Sequence, residues 1–178
     1  MTVKAKIMDK AAMQRTLRRL SHEILEKNKG TEDVVIVGVI RRGSDIADRI
    51  ALEIEKIDGV KVPVGSIDIS FLRDDICHSE NSPVVNDTNI PFDISGKNVI
   101  LTDDVIYTGR TVRAAIDALF RLGRPKTVQL AVLIDRGLRE LPIKPDYVGK
   151  NIPTSHSEFV EVKLEETDGE DAVSIKEK

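Results

Sequence analysis

Val34–Ile40 and Thr127–Ile134 are near-continuous apolar runs, and Val99–Leu101 is a shorter one. Such runs predict strands covered on both faces, as in a parallel sheet. Between them the period changes. From Asp9 to Gly30, the residues Met13, Leu17, Leu20 and Ile24 recur at helical spacing, with Asp9 placed to cap the helix and Gly30 to stop it. Ile46, Ala47, Ile50, Ala51 and Ile54 predict a second helix, capped by Ser44 or Asp45. Val112, Ala115, Ile116 and Leu119 predict a third, ended by Gly123 and Pro125. Val62–Phe71 alternates weakly and reads as a further strand. Strands alternating with helices predict an α/β fold whose central, mainly parallel sheet is flanked by helices. Past residue 140 short strands are expected, including Phe159–Leu164, and residues 165–178 read as an edge strand with a frayed tail. No internal repeat or second domain is visible, so one domain is expected over residues 1–178.

Residues 72–92 interrupt the pattern. They are rich in Asn, Asp, Ser and Pro, lack a period, and are long for a connection inside a compact domain. A flexible loop or lid is expected there, with a disordered insertion as the alternative.

The chain has 178 residues, of which 40% are hydrophobic, enough for a buried core. No apolar run approaches the roughly 20 residues that span a bilayer, and no apolar signal region opens the chain, so a cytoplasmic protein without membrane contact is expected. The single Cys77 has no internal partner, and no Cys/His cluster suggests zinc. The net charge is −3, but it is unevenly spread. Residues 1–30 hold eight Lys/Arg against three acids, and residues 151–178 hold three against eight. At about 100° per residue, Arg15, Arg18, Arg19, His22 and Lys29 fall opposite the apolar face of the first helix. That stripe is either a solvated face or a surface for phosphates.

The chemistry concentrates in Val99–Thr111, an apolar run followed by Asp103-Asp104 and then the loop Tyr107-Thr108-Gly109-Arg110-Thr111. A strand, a short loop and a helix start suit a phosphate: unpaired N–H groups, the positive dipole end, two hydroxyls, and a glycine that lets the backbone come close. The acids upstream could reach sugar hydroxyls or a magnesium ion. Singly, each piece also fits a helix cap, an ordinary turn or a response-regulator acid pair. Neither G-x-x-x-x-G-K-[ST] nor G-x-G-x-x-G occurs. By the strand-end rule, Arg42, Asp103, Asp104 and Arg136 would gather on one rim.

Val99–Thr111 resembles the phosphoribosyl-diphosphate (PRPP) motif of type I phosphoribosyltransferases. Arg41-Arg42-Gly43, Phe71 before Leu72-Arg73-Asp74-Asp75, Asp135-Arg136-Gly137, Arg139-Glu140-Leu141-Pro142 and the segment 147–155 resemble one branch, the bacterial regulators of pyrimidine operons. The likeness runs from about Lys4 to about Ile175. It implies the type I phosphoribosyltransferase fold, with a small hood partly from about 140–164 and a flexible loop over about 72–92. It implies transfer of the ribose phosphate of PRPP to uracil, giving UMP and pyrophosphate, with Mg2+ held by Asp103 and Asp104. Arg42, Arg73 and Arg136 would act on the leaving group, and the acid pair on the ribose. Arg41, Arg42, Asp103, Asp104, Val105, Ile106, Tyr107, Thr108, Gly109, Arg110, Thr111, Arg136 and Val160 would contact PRPP or nucleotide, Val160 through its backbone at the base.

The same branch implies attenuation of transcription by binding the leader mRNA of the pyrimidine operon, tuned by UMP or UTP, in a homo-oligomer that is a dimer or larger. Arg18, Arg19, His22, Lys27, Lys144 and Lys150 are the candidate RNA contacts. Some members carry Thr where Arg18 stands and His where Leu138 stands. A purely metabolic phosphoribosyltransferase for a purine or pyrimidine base, and a catalytically silent RNA-binding sensor, remain alternatives.

Overall fold

The computed structural model describes residues 2–70, 72 and 87–177. Five parallel strands form the main sheet: β2 (Val34–Val39), β3 (Val64–Ile67), β4 (Asn98–Ile106), β5 (Thr127–Asp135) and β6 (Tyr147–Asn151), in the order β3-β2-β4-β5-β6. Successive residues of β2 serve opposite faces. Val34 and Ile36 join a core with helices α1 (Lys10–Asn28) and α2 (Arg42–Asp58), while Val35, Val37 and Val39 join one with α3 (Arg110–Leu122). Both faces are therefore apolar, which is why the strands read as unbroken runs rather than alternations.

The helix ends follow local chemistry. Asp9 accepts the Ala12 N–H at 2.8 Å, capping α1, and Lys29 turns left-handed (φ 57°) so that the Gly30 N–H reaches the Leu25 carbonyl at 3.0 Å. Met13, Leu17, Leu20 and Ile24 are buried, as their spacing predicts. Neither Ser44 nor Asp45 caps α2. The helix starts at Arg42, almost without a loop after β2, and the Ser44 hydroxyl donates back to the Arg41 carbonyl. Glycine permits that junction: a Cβ on Gly38 would lie 2.4 Å from the Gly43 carbonyl oxygen, and one on Gly43 2.5 Å from the Thr102 oxygen.

Two expectations are corrected and a third is divided. The strand expected over Val62–Phe71 is only Val64–Ile67, because Asp68 turns the chain by accepting the Ser70 N–H and hydroxyl. Of the segment 140–164, expected to form part of the hood, β6 belongs to the main sheet, while residues 158–163 join a second, smaller sheet. The second sheet is antiparallel, in the order β1-β8-β7, from β1 (Thr2–Met8), β7 (Glu158–Lys163) and β8 (Ala172–Glu177). The acidic end is thus its central strand, not an edge. The short helix α4 (Glu165–Asp168) precedes β8. Arg49 of α2 binds Glu166 and Asp171 and ties this end to the α1/α2 face.

The polar stretch leaves the main sheet after β3 and returns at Asn89, which exchanges hydrogen bonds with Ser66 at 2.8 and 2.9 Å. Phe71, Arg73, Asp74, Asp75 and Cys77 lie outside the described residues. Among the described residues, no helix is long and apolar enough to cross a membrane.

Candidate nucleotide site

Strand β4 carries the acid pair further than its apolar run suggests. It continues through Asp103 and Asp104 to Ile106, pairing with β5 up to Asp135. The loop is therefore only Tyr107–Gly109. Gly109 is left-handed (φ 95°), and α3 begins at Arg110. A cleft of about 360 Å³ is lined by Asp103, Val105, Thr108, Gly109, Arg110 and Thr111. Ile106 and Tyr107 also line it, although the Ile106 side chain is core. A second cleft, about 350 Å³, is lined by Arg41, Arg42, Ser70, Asp103, Asp104 and Thr111. The two clefts share Asp103, Val105 and Thr111, so the acid pair stands between a helix-N-terminal anion pocket and two arginines.

Asp103 is 7% exposed and accepts the Asp104 N–H at 2.9 Å, while Asp104 accepts the Val105 N–H at 2.8 Å. Burial pushes the Asp104 carboxyl up, against the Val105 N–H, the Asp103 carboxyl and the nearby Arg42 charge. Adjacent carboxylates beside an anion pocket fit Mg2+, which needs only one or two carboxylates when substrate oxygens and water complete its shell. Among the described residues, no cluster of three or more His, Cys, Asp and Glu forms a separate metal cage.

The arginines divide. Arg41 is exposed at the cap of α2, after a cis Ile40–Arg41 peptide. Arg42 donates from Nε and Nη2 to Asp168 at 3.0 and 2.8 Å. The pair holds the Asp168 carboxyl below the usual range. Arg136, expected to act on the leaving group, lines neither cleft. It is 5% exposed and lies 4.1 Å from the centre of the Tyr107 ring. Nε donates to Thr154 at 2.9 Å, and Nη2 to the carbonyls of Ser155 and Glu158 at 3.2 and 2.8 Å. With these donors committed, Arg136 holds the 154–158 loop against the phosphate loop. Arg73 lies outside the described residues. The Val160 side chain is buried in the core under the second sheet, and Val160 lines neither cleft.

The RNA candidates lie elsewhere, since none of them lines either nucleotide cleft. Arg18 and His22, with Arg15 and Lys56, line an open cleft of about 660 Å³ between α1 and α2. Lys150 joins Arg15 and Arg19 along a shallower groove. Arg19 pairs with Glu23 and donates to the Val148 and Gly149 carbonyls at 3.2 and 2.7 Å. Lys27 pairs with Asp146 and sits 5.3 Å from the centre of the Tyr147 ring. Lys144 is exposed ahead of β6. Asp168 and the contacts of Arg139 were not anticipated from the sequence. The only sequence signal for the latter was the run Arg139-Glu140-Leu141-Pro142 itself.

Comparison with known proteins agrees with this geometry. Residues 5–167 match the model of the phosphoribosyl transferase domain. Proteins named Bifunctional protein PyrR are 59% identical in Pelotomaculum thermopropionicum (98% of this chain, 96% of the relative) and 58% identical in Clostridium acetobutylicum (99% of each). The crystal structure of the hypoxanthine phosphoribosyltransferase of Trypanosoma cruzi superposes with a TM-score of 0.74 at 19% identity, covering 98% of this chain and 97% of that one. A hypoxanthine-guanine phosphoribosyltransferase from Bacillus anthracis gives 0.69 at 23% identity, with 98% of each covered. These two similarities speak to the fold alone.

Proposed function

We propose that this chain, which belongs to the phosphoribosyl transferase family, is a uridine-nucleotide-dependent RNA-binding regulator of a pyrimidine operon that also makes UMP from uracil and PRPP. The observation that carries the enzymatic half is the pair of adjoining clefts that share Asp103, Val105 and Thr111. Their dimensions and lining suit one extended ligand: a 5′-phosphate at Thr108–Thr111, a ribose at Asp103 and Asp104, and a diphosphate toward Arg41 and Arg42.

In the reaction the bond from C1 of the ribose to the diphosphate breaks, and the leaving group departs with the electron pair. Uracil N1 takes its place on C1 and gives up its proton. Charge develops at two points. Arg42 and Arg41 face the growing negative charge of pyrophosphate. Asp103 and Asp104 fix the ribose hydroxyls beside the cationic sugar. Mg2+, when bound at the acid pair, supplies further neutralisation of the diphosphate. The phosphate loop holds the far end of the substrate and so aligns the reacting atoms. None of these residues forms a covalent intermediate.

The regulatory half rests on the names of the close relatives and on the cations of α1. Arg15, Arg18 and His22 point to an open cleft, Lys150 lies nearby, and Lys144 is exposed. Such a face suits contacts to an RNA backbone, in a dimer or larger assembly of the chain.

One experiment tests both halves. Leader RNA is retained on filters with and without UMP at two salt concentrations, and uracil turnover is measured alongside for wild type, Asp103→Asn and Asp104→Asn. UMP should tighten RNA binding, salt should weaken it, and each substitution should lower turnover by about 100-fold or more. RNA binding absent under every condition overturns the regulatory half. Near-normal turnover in both variants overturns the assignment of the acid pair.

A further inference from the structure

Arg139 stands behind the phosphate loop and has no part in the reaction described above. It is half-buried, and each of its three nitrogens is bonded to a protein oxygen. Nε donates to the Ile143 carbonyl at 3.0 Å. Nη1 donates to the Tyr107 carbonyl at 2.9 Å and to the Gly137 carbonyl at 3.4 Å. Nη2 donates to Asp135 Oδ2 at 2.5 Å, while Asp135 Oδ1 accepts the Gly137 N–H at 2.9 Å. Asp135 ends β5 and pairs with Ile106, the last residue of β4, so the guanidinium is anchored to the strands that launch the loop. The next carbonyl, that of Thr108, is also drawn to this segment: it accepts the N–H groups of Glu140 and Leu141 at 3.0 and 3.1 Å.

A trans peptide carries its C=O and N–H on opposite sides. With the carbonyls of Tyr107 and Thr108 turned toward residues 139–141, the N–H groups of Thr108 and Gly109 are turned away from them. Two successive N–H groups presented together make an anion-binding concavity. We propose that Arg139 is a positioning residue for the 5′-phosphate: locked by Asp135, it turns the Tyr107–Thr108 peptide so that the loop presents its N–H groups to the ligand. The inference rests on the reading of Thr108–Thr111 as the phosphate site.

The test compares ligands that differ only in the phosphate. Affinities for UMP and uridine are measured by calorimetry for wild type, Arg139→Gln, Arg139→Lys and Asp135→Asn, together with KM for PRPP and for uracil. In Arg139→Gln, UMP affinity should fall about tenfold or more, the scale of losing well-aimed bonds to a charged group, while uridine affinity and KM for uracil hold. KM for PRPP should rise. Lysine can reach the Tyr107 carbonyl or Asp135 but not both, so Arg139→Lys should recover part of the loss. Asp135→Asn leaves the arginine but weakens its lock, and it should shift UMP in the same direction even if Arg139→Gln does not fold. A wild-type preference for UMP that persists in all folded variants overturns the positioning role, as does a parallel loss of UMP and uridine. If wild type binds UMP no better than uridine, the phosphate-site reading itself is overturned, and this inference with it.

Discussion

Arg42 and Asp168 form a bidentate pair beside the acid pair, so one of the two arginines proposed to face pyrophosphate already holds a carboxylate. A partly exposed pair of this kind is worth up to about 1 kcal/mol. Ligand binding that draws Arg42 away must offset that amount. Asp168→Asn keeps an oxygen for the Leu164 N–H, which Asp168 also accepts, but surrenders the charge. Inhibition by pyrophosphate should tighten in this variant by up to about fivefold, corresponding to that 1 kcal/mol. An unchanged inhibition constant would place Arg42 away from the diphosphate. At this scale the sequence was informative where the chemistry was local. Asp9, Asp103, Asp104, Thr108, Gly109 and Thr111 sit in one short motif or cap one helix. It was silent where partners come from far along the chain. Nothing in the order of residues says that position 168 answers position 42, or that Arg136 turns its donors to residues 154–158.

The junction of β2 with α2 decides where Arg41 and Arg42 stand. The Thr102 hydroxyl donates to the Gly43 carbonyl at 2.7 Å, fixing the start of α2 to the strand that carries the acid pair. Gly38 and Gly43 allow the close approach. In Gly38→Ala the added methyl would meet backbone at 2.4 Å, where no flexible side chain can yield. The helix start must move, and overpacking of this type costs about 1–3 kcal/mol. Thermal unfolding should occur at lower temperature, and KM for PRPP should rise more than KM for uracil, since the shift falls at the end proposed for the diphosphate. Equal changes in both constants would show that the junction does not set the diphosphate subsite. Helices and buried strands were legible because their burial is periodic or continuous. The second sheet was less so. Val3, Ala5 and Ile7 alternate with Lys4 and Lys6, a signal for β1 that the helical stripe beside it overshadowed. The acidic composition of residues 165–178 reads as an edge strand and does not show that the strand is paired on both sides.

Across the whole molecule, the basic beginning and acidic end of the chain answer each other. Lys4 pairs with Glu158 and Lys10 with Glu165. The Lys4 ammonium and the Ser155 N–H hold Glu158 down at about 2. A depressed carboxyl contributes stability that is fully present above its unfolded value, 4.5, and is lost as the pH falls toward 2. The gap in unfolding temperature between wild type and Glu158→Gln should therefore be constant near neutrality and close across that acid window. A gap that ignores pH would show that charge is not what Glu158 contributes. The position of β8, between the first strand and the seventh, also governs the order of assembly during synthesis. β2 to β6 can pair while the chain is still growing, because each needs only neighbours made before residue 152. β1, although made before β2, pairs in the second sheet with β8 alone among the described residues, so it waits until residues 172–177 have left the ribosome. β1 is thus made before β2 to β8 and is among the last of these strands to find its place.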